Sequence, residues 1–395
     1  MAQAAIDARM PPLASQERPL EECIGQTLRE AVFPERDNPP FDRVCMDGIA
    51  IDSRALARGI RSFGIQATQA AGAPPVELLS VDGAVEVMTG AVLPPGTDCV
   101  IPQEDYVEVD GAARLKEQAT GAAYRNVQRR GEDGRPDVAM LEAGVRLGAA
   151  EIAVVASAGL AGVRVSRQPR CMVISTGDEL VEPGRPITAY QVRRSNVFSI
   201  VAALRDRHFE MVRNDHIADD ETLLRERLSA HLCSQDVLIL SGGVSKGKFD
   251  FVPKVLKELG VQEIFYQVAQ RPGMPMWFGV HPSGCAVFGL PGNPVATLVC
   301  VIRYVIPAMI TAVGTRQRAP ERIALAAPVA AGRVPYTYFL PVSVHFDDAG
   351  LPCATPRRPN GPGDFLALTH TDGFVELPPK SDGFAQGFVA DLYRW

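Results

Sequence analysis

Between Arg170 and Val305 the sequence alternates apolar runs ending in polar or glycine-rich loops with runs of helical period, and this alternation restricts the fold more than any other feature of the chain. "RCMVIST" is an apolar run that stops at Gly177, "DVLILSGG" ends in glycines, and "CAVFGLPGNPVATLVCVIRYV" reads as strand, glycine turn and helix. "SNVFSIVAALRDRH", with Ser195 or Asn196 as N-cap, "DDETLLRERLSAHL", and "FDFVPKVLKELG", closed by Gly260, have the spacing of helices. Strands alternating with helices specify a doubly wound, mostly parallel sheet. Ligands of such sheets collect beyond the carboxyl ends of the strands. "STGDEL", "SGGVSKGKFDF" and "GLPGNP" are therefore expected to share one pocket.

The flanking segments differ. Residues 46–135 are rich in Gly, Pro and Val and read as short strands with turns, as does the chain beyond about 315. "LEECIGQTLREAV" is expected to be an amphipathic helix, and "VRLGAAEIAVVASAGLAGVRV" a small-residue helix leading back to a strand. With 395 residues, the chain is expected to form several domains. The expected boundaries are 1–45 with 136–168 for an elongated α/β domain, 46–135 for a β-rich insertion, 169–315 for the sheet domain, and 316–395 for a small β domain.

Composition excludes some classes. A net charge of −6 does not suggest nucleic-acid binding. The eight cysteines are scattered without a C-x-x-C pair, which argues against a zinc site or a disulfide framework. The first twenty residues have no apolar core of signal-peptide length. "PVATLVCVIRYVIPAMITAV" is about long enough to span a bilayer, but Arg303 at its centre and Pro307 favour a buried helix, so a cytoplasmic protein without a membrane span is expected.

"SGGVSKGKFDF" nearly matches a Walker loop, but Phe249 stands where a hydroxyl must reach Mg²⁺. Gly242, Gly243 and Gly247 still allow backbone N–H groups to face an anion, with Ser241 and Ser245 adding hydroxyls. Asp250 could cap the next helix or, with Asp178 and Glu179, serve a Mg²⁺-assisted phosphoryl or nucleotidyl reaction. Asp178 and Glu179 could equally be turn and helix-start residues. "GLPGNP" could equally be a purely structural strand-to-helix turn.

Seven motifs in order, "MDGIA", "MTGAVLPPGTD", "RRGED", "STGDEL", "SGGVSKGKFDF", "RPGMPMWFG" and "GLPGNPVA", resemble the MoeA-type molybdopterin molybdenumtransferases, which are related to the gephyrin E domain. The resemblance runs from about residue 15 onward. It implies a MogA-like sheet domain, the β-rich insertion, the elongated N-terminal domain and a small C-terminal β-barrel. It also implies a homodimer with an active site shared between subunits, and a reaction that inserts molybdate into adenylylated molybdopterin with Mg²⁺ and releases AMP. A molybdopterin adenylyltransferase and apo-molybdoenzymes are the implied protein partners.

Motif by motif, the resemblance implies catalytic roles for Asp47, Thr89, Asp133, Glu179 and Asp250. Glu179, Asp215 and Asp250 are the implied metal ligands. Substrate contacts fall to Thr176, Gly177, Ser241, Gly242, Gly243, Ser245, Gly247, Arg271, Pro291, Gly292 and Asn293. Asp47 and Thr89 on their own are ordinary turn residues. Two positions depart from the pattern. Ile49 replaces the usual tyrosine, a packing change, while Arg271 and Met274 replace a usual lysine pair, so one cation is lost. Lys246 and Lys248 are candidates to replace it. A paralogue that binds molybdopterin as a carrier or scaffold, and an unrelated nucleotide hydrolase, are the alternative readings.

Overall fold

The computed structural model describes residues 1–243, 251–330, 335–361 and 363–395. Ser245, Lys246, Gly247, Lys248 and Asp250 lie outside the described residues.

The central sheet contains β1 (Cys171–Thr176), β2 (Val212–Ile217), β3 (Val237–Ser241), β4 (Gln262–Tyr266), β5 (Trp277–Val280) and β6 (Ala286–Leu290). Their spatial order is β2-β1-β3-β6-β5-β4. The first four strands are parallel, and β5 and β4 run antiparallel at one edge. Helices α1 (Asn196–Arg205), α2 (Glu221–Ser234), α3 (Val252–Glu258) and α4 (Pro294–Cys300) occupy the connections. Period-two burial divides each strand between two faces. Val173, Ile239 and Phe288 pack with α1 and α4, while Ile174, Leu240 and Val287 pack with α2 and α3. The strand order reverses between β1 and β3, the kind of crevice where doubly wound sheets bind ligands.

Helix α4 continues through a π turn, Val301–Val305, into α5 (Ile306–Ala312). Pro307 has no N–H for the ladder, and a wider turn before it accommodates the break. These nineteen residues would be long enough to cross a membrane, but most of them are buried in the core of the sheet domain. The Arg303 guanidinium pairs with Glu376 at 2.7 Å and donates to Gln3 at 3.1 Å.

The segment from 20 to 32 corrects the expectation of a helix. It contains a single 3₁₀ turn, Leu20–Glu22, followed by extended residues bridged to the returning chain: Thr27 to Arg146, Leu28 to Val165 and Val32 to Leu141. Gly25 has φ 73°, which no helix interior accepts, and pairing in extended form still buries Cys23, Leu28 and Val32 against Val155 and Val163. The helix ahead of this region is Ala2–Asp7, which the sequence reading missed. Its Ile6, with Met10 and Leu13, enters the core of the central sheet.

The helix expected near 150 is present as Ala149–Ser157, followed by the strand Gly162–Ser166 paired with Ser15–Pro19. Residues 48–115 form a six-stranded sheet with Gly48–Ile51 and Gly83–Val87 near its middle. Ile49 is fully buried in this sheet's core, beside Ile51 and Ile101. At the far end, β7 (Glu321–Leu325), β8 (Thr337–Phe346), β9 (Pro352–Pro356), β10 (Gly373–Leu377) and β11 (Val389–Arg394) close on one another in the order β8-β9-β7-β11-β10-β8. This is a five-stranded barrel around Val342, Val375, Leu377 and Leu392.

Candidate active site

Three loops meet beyond the carboxyl ends of β1, β3 and β6, and one side chain holds them together. Asn196 Nδ2 donates to Ser241 Oγ at 2.8 Å and to the Gly292 carbonyl at 2.9 Å, with Thr297 Oγ1 at 3.4 Å. Sequence reasoning took Asn196 or Ser195 for a helix cap. Ser195 precedes α1 in helical conformation without a side-chain cap bond, and the Asn196 amide crosses to the neighbouring strands instead. The signal was an amide at the start of a helix that follows a strand-end loop, but its long-range partners could not be read from spacing.

The loops are close-packed. Gly243 has φ 68°, and a Cβ there would lie 2.7 Å from Thr176 Oγ1, so a side chain would be both strained and obstructed. A Cβ on Gly292 would touch Gly242 Cα at 3.7 Å. Gly177 lies between buried Thr176 and exposed Glu179, whose carboxylate folds back over it. Pro291 gives its carbonyl to Thr297 Oγ1 at 2.5 Å. Asn293 Oδ1 accepts from Ala296 N at 3.1 Å, so this side chain caps α4.

Three buried polar atoms near these loops have no hydrogen-bond partner among the described residues: Thr176 Oγ1, Asn196 Oδ1 and Arg194 Nε. Such orphans are uncommon in folded proteins and call for an explanation. Arg194 is itself buried, with Nη1 on Glu182 at 2.7 Å and Nη2 on Asn214. Unmet donors and acceptors on a guanidinium, an amide and a hydroxyl suit a polar, anionic ligand.

Asp215 is bonded within the sheet domain. It lies within β2, and its carboxylate accepts from Arg227 at 2.7 Å, His231 at 2.8 Å and the His216 N–H at 2.8 Å. Burial works to raise its pKa, but the His231 and His216 hydrogen bonds and the Arg227 charge prevail and lower it. That carboxylate is committed to α2. The acid beyond the end of β2 is Asp219, whose backbone N–H donates to Asp178 Oδ1 at 3.2 Å. The sequence signal for it was "IADD", directly after the apolar end of the strand.

Beside the loops runs an open groove of about 460 Å³ between Arg271–Pro275, Asn293, Val295 and β8. Its rim is anchored from below. Gln270 Nε2 donates to the Gly273 carbonyl at 3.1 Å, and Tyr304 Oη donates to Gln270 Oε1 at 2.5 Å. Exposed Arg271 stacks over Tyr336 at 4.8 Å, and Met274 is partly exposed.

The remaining expected residues lie on the β-rich sheet and its return. Asp47 Oδ1 accepts from the Thr89 N–H at 2.6 Å and from Thr89 Oγ1 at 2.7 Å, which holds its carboxyl below the usual range. Asp133 Oδ2 accepts from Gln128 at 2.7 Å and is exposed. Among the described residues no hydrogen bond or ion pair joins Asp47, Thr89 or Asp133 to Thr176, Ser241 or Gly292.

Comparison with known proteins agrees with this architecture. Residues 1–159 match the MoeA N-terminal region (domain I and II), residues 172–311 a probable molybdopterin binding domain, and residues 324–395 the MoeA C-terminal region (domain IV). The chain is 37% identical over 392 residues to a molybdopterin molybdenumtransferase of Synechocystis, covering 99% of this chain and 97% of that one. It is 34% identical over 299 residues to one of Haemophilus influenzae, covering 75% and 73%. A solved molybdopterin biosynthesis MoeA protein from Pyrococcus horikoshii superposes with a TM-score of 0.79 at 27% identity, covering 100% of this chain and 97% of the other. With three regional matches in order and a relative aligned along nearly its whole length, the chain belongs to the MoeA family of molybdenum cofactor biosynthesis.

Proposed function

We propose that this chain is a molybdopterin molybdenumtransferase that inserts molybdate into adenylylated molybdopterin and releases AMP. The observation that carries the reading is the meeting of the strand-end loops, two of them bonded by Asn196, with Thr176 Oγ1, Asn196 Oδ1 and Arg194 Nε left without partners among the described residues. These atoms supply what a pterin phosphate and its anhydride need: hydroxyl and amide groups, a fixed guanidinium and glycine backbone. The substrate's own dithiolene would hold the metal, consistent with cysteines that are scattered along the chain.

Within this reading Thr176, Gly177, Ser241, Gly242 and Gly243 cradle the pterin phosphate, Gly292 and Pro291 shape the wall, and Arg271 faces anionic groups in the groove. Fixed donors of this kind stabilise charge that develops as a bond to phosphorus breaks. Asp178, Glu179 and Asp219 add oxygen donors at the rim, and Asp250 completes the acidic set in sequence. No three His, Cys, Asp or Glu side chains converge as a metal cage among the described residues. Mg²⁺ fits such a donor set, because it is commonly held by one or two carboxylates with substrate phosphates and water. When bound, Mg²⁺ would neutralise charge on the departing phosphate.

Asp47, Thr89 and Asp133 lie in a different part of the fold, which supports a homodimer whose site takes the loops from one subunit and the β-rich sheet from the other. A cytoplasmic enzyme served by an adenylyltransferase and serving apo-molybdoenzymes accords with this reaction. The test is AMP release from adenylylated molybdopterin with and without molybdate and Mg²⁺. Release that requires both supports the transferase, tight pterin binding without release indicates a carrier, and release without molybdate indicates a hydrolase.

A further inference from the structure

A second cavity, of about 70 Å³, lies away from the strand-end loops, where the extended residues Gly25–Thr27 and Arg146 meet Arg207–Phe209 and the turn after α5. Its lining includes Arg146, Arg207 and His208 but no Asp or Glu. It also includes the buried hydroxyl residues Thr27 and Ser166.

Arg146 and His208 are exposed and have no side-chain hydrogen-bond partner among the described residues, whereas Arg207 is partly engaged. Its Nη1 donates to the Ala203 carbonyl at 3.3 Å, and Nη2 donates to the carbonyl oxygens of Arg394 at 3.0 Å and Trp395 at 2.8 Å. Asp206 pairs with Arg207 at 3.3 Å but does not line the cavity. Burial lowers the Arg207 pKa, Asp206 works against this, and the nearby Arg146 charge lowers it further. Among the described residues the cavity is lined by basic groups and no acid, a setting that suits an anion.

His208 adopts φ 63°, uncommon for a residue with a side chain, and its ring packs where Gly25 leaves room: a Cβ on Gly25 would lie 2.9 Å from Nδ1. The imidazole is thus held at the cavity by backbone geometry on both sides. Gln168 also lines the cavity; its Oε1 is buried without a partner among the described residues, while its Nε2 donates to Gln26 Oε1 at 3.1 Å. A ligand that met both the basic groups and this oxygen would carry negative charge and a hydroxyl hydrogen.

We propose that this cavity is a binding site for a small protonated oxyanion of the hydrogen phosphate class, held by Arg146 and His208 and donating its proton to Gln168. Phosphate keeps a hydroxyl near neutral pH, whereas sulfate and molybdate have none to give Gln168. The volume replaces two or three waters, at about 30 Å³ each, with one tetrahedral group. Bound there, the ion joins the extended N-terminal strands to the sheet domain.

The test is equilibrium binding of radiolabelled inorganic phosphate to the intact protein, with sulfate and molybdate as competitors. Phosphate should bind saturably, and either competitor should be at least about tenfold weaker, the cost of one unmet charge-assisted bond. Arg146→Ala and Gln168→Glu should each weaken this binding tenfold or more, and His208→Asn, which tolerates the same backbone, should weaken it measurably. Asn196→Ala, at the other site, should retain it. Denaturant midpoints without phosphate show that each variant is folded. Absence of saturable binding, binding unchanged in both Arg146→Ala and Gln168→Glu, loss only in Asn196→Ala, or sulfate as tight as phosphate would each overturn the assignment.

Discussion

Asn196 Nδ2 lies 2.8 Å from Ser241 Oγ, so the first helix of the sheet domain is fastened to the loop that follows its third strand. The same nitrogen reaches the Gly292 carbonyl, so the ends of the third and sixth strands share one amide at the start of that helix.

Asn196→Ala should therefore reduce kcat/KM for AMP release by about ten- to a hundredfold while costing about 1–3 kcal/mol of stability, the usual penalty for leaving buried polar partners unmet. Asn196→Asp should be worse for substrate binding than Ala, since it replaces a donor with a negative charge beside an anion site. Steady-state kinetics with urea unfolding checks both. Wild-type kinetics in Asn196→Ala would remove the amide from the mechanism.

Asp47 and Asp250 belong to different parts of the proposed shared site. Asp47→Asn and Asp250→Asn homodimers should each lose about a hundredfold or more in turnover if the charge acts on the reaction. After subunit exchange, each heterodimer should recover one of its two sites. Verified exchange without any recovery would argue for a site contained in one subunit.

Met274 faces the groove beside Arg271 and is already partly exposed, so a lysine there needs no burial of charge. Met274→Lys should lower the molybdate concentration required for half-maximal turnover by roughly ten- to a hundredfold, with an unchanged unfolding midpoint. An unchanged requirement would mark Met274 as packing. Lys246→Ala and Lys248→Ala, alone and with Met274→Lys, test in the same titration whether either lysine replaces the lost cation.

Asp236 gives a prediction that concerns stability alone. Its carboxylate bridges Arg167 at 2.6 Å and Arg170 at 3.1 Å. Burial pushes its pKa up, but the two arginines and the Arg170 N–H outweigh this and hold it well below the usual carboxylate range. A lowered folded-state pKa means that the stabilisation is complete above the unfolded value of about 3.9 and is lost as pH falls toward the folded value. Asp236→Asn should cost about 1–3 kcal/mol at pH 7. The gap to wild type should shrink as unfolding is measured at successively lower pH below about 4, and a gap that widened on acidification would contradict the assignment.

Much of this could be read before any coordinates. Strands ending in Thr176, Ser241 and Leu290 followed by helical period specified the parallel sheet, because burial on both faces leaves continuous apolar runs. The loops at those ends were expected together because they follow carboxyl ends of neighbouring strands, and they do meet there. The segment from Leu20 to Val32 was misread because apolar spacing is ambiguous when the partner strand lies more than a hundred residues away, as with Leu28 and Val165. Asp215 lies inside the second strand with Arg227 and His231 on its carboxylate, which motif position could not reveal, since it does not show where a strand ends. Asn196 was missed because a helix-start amide looks like a cap whatever it bonds.

The placement of the segment Ala2–Leu13 has a consequence for synthesis. Ile6 is buried in the sheet core, and the Leu13 N–H bonds the Ala312 carbonyl at 2.9 Å. These residues leave the ribosome some three hundred residues ahead of Ala312, roughly 15–60 s at about 5–20 residues per second. Through that interval an apolar helix sequence waits in water beside a nascent chain whose central sheet is still unfinished. Its attachment is a closing step of folding, and a ribosome stalled before residue 312 should carry it exposed to protease.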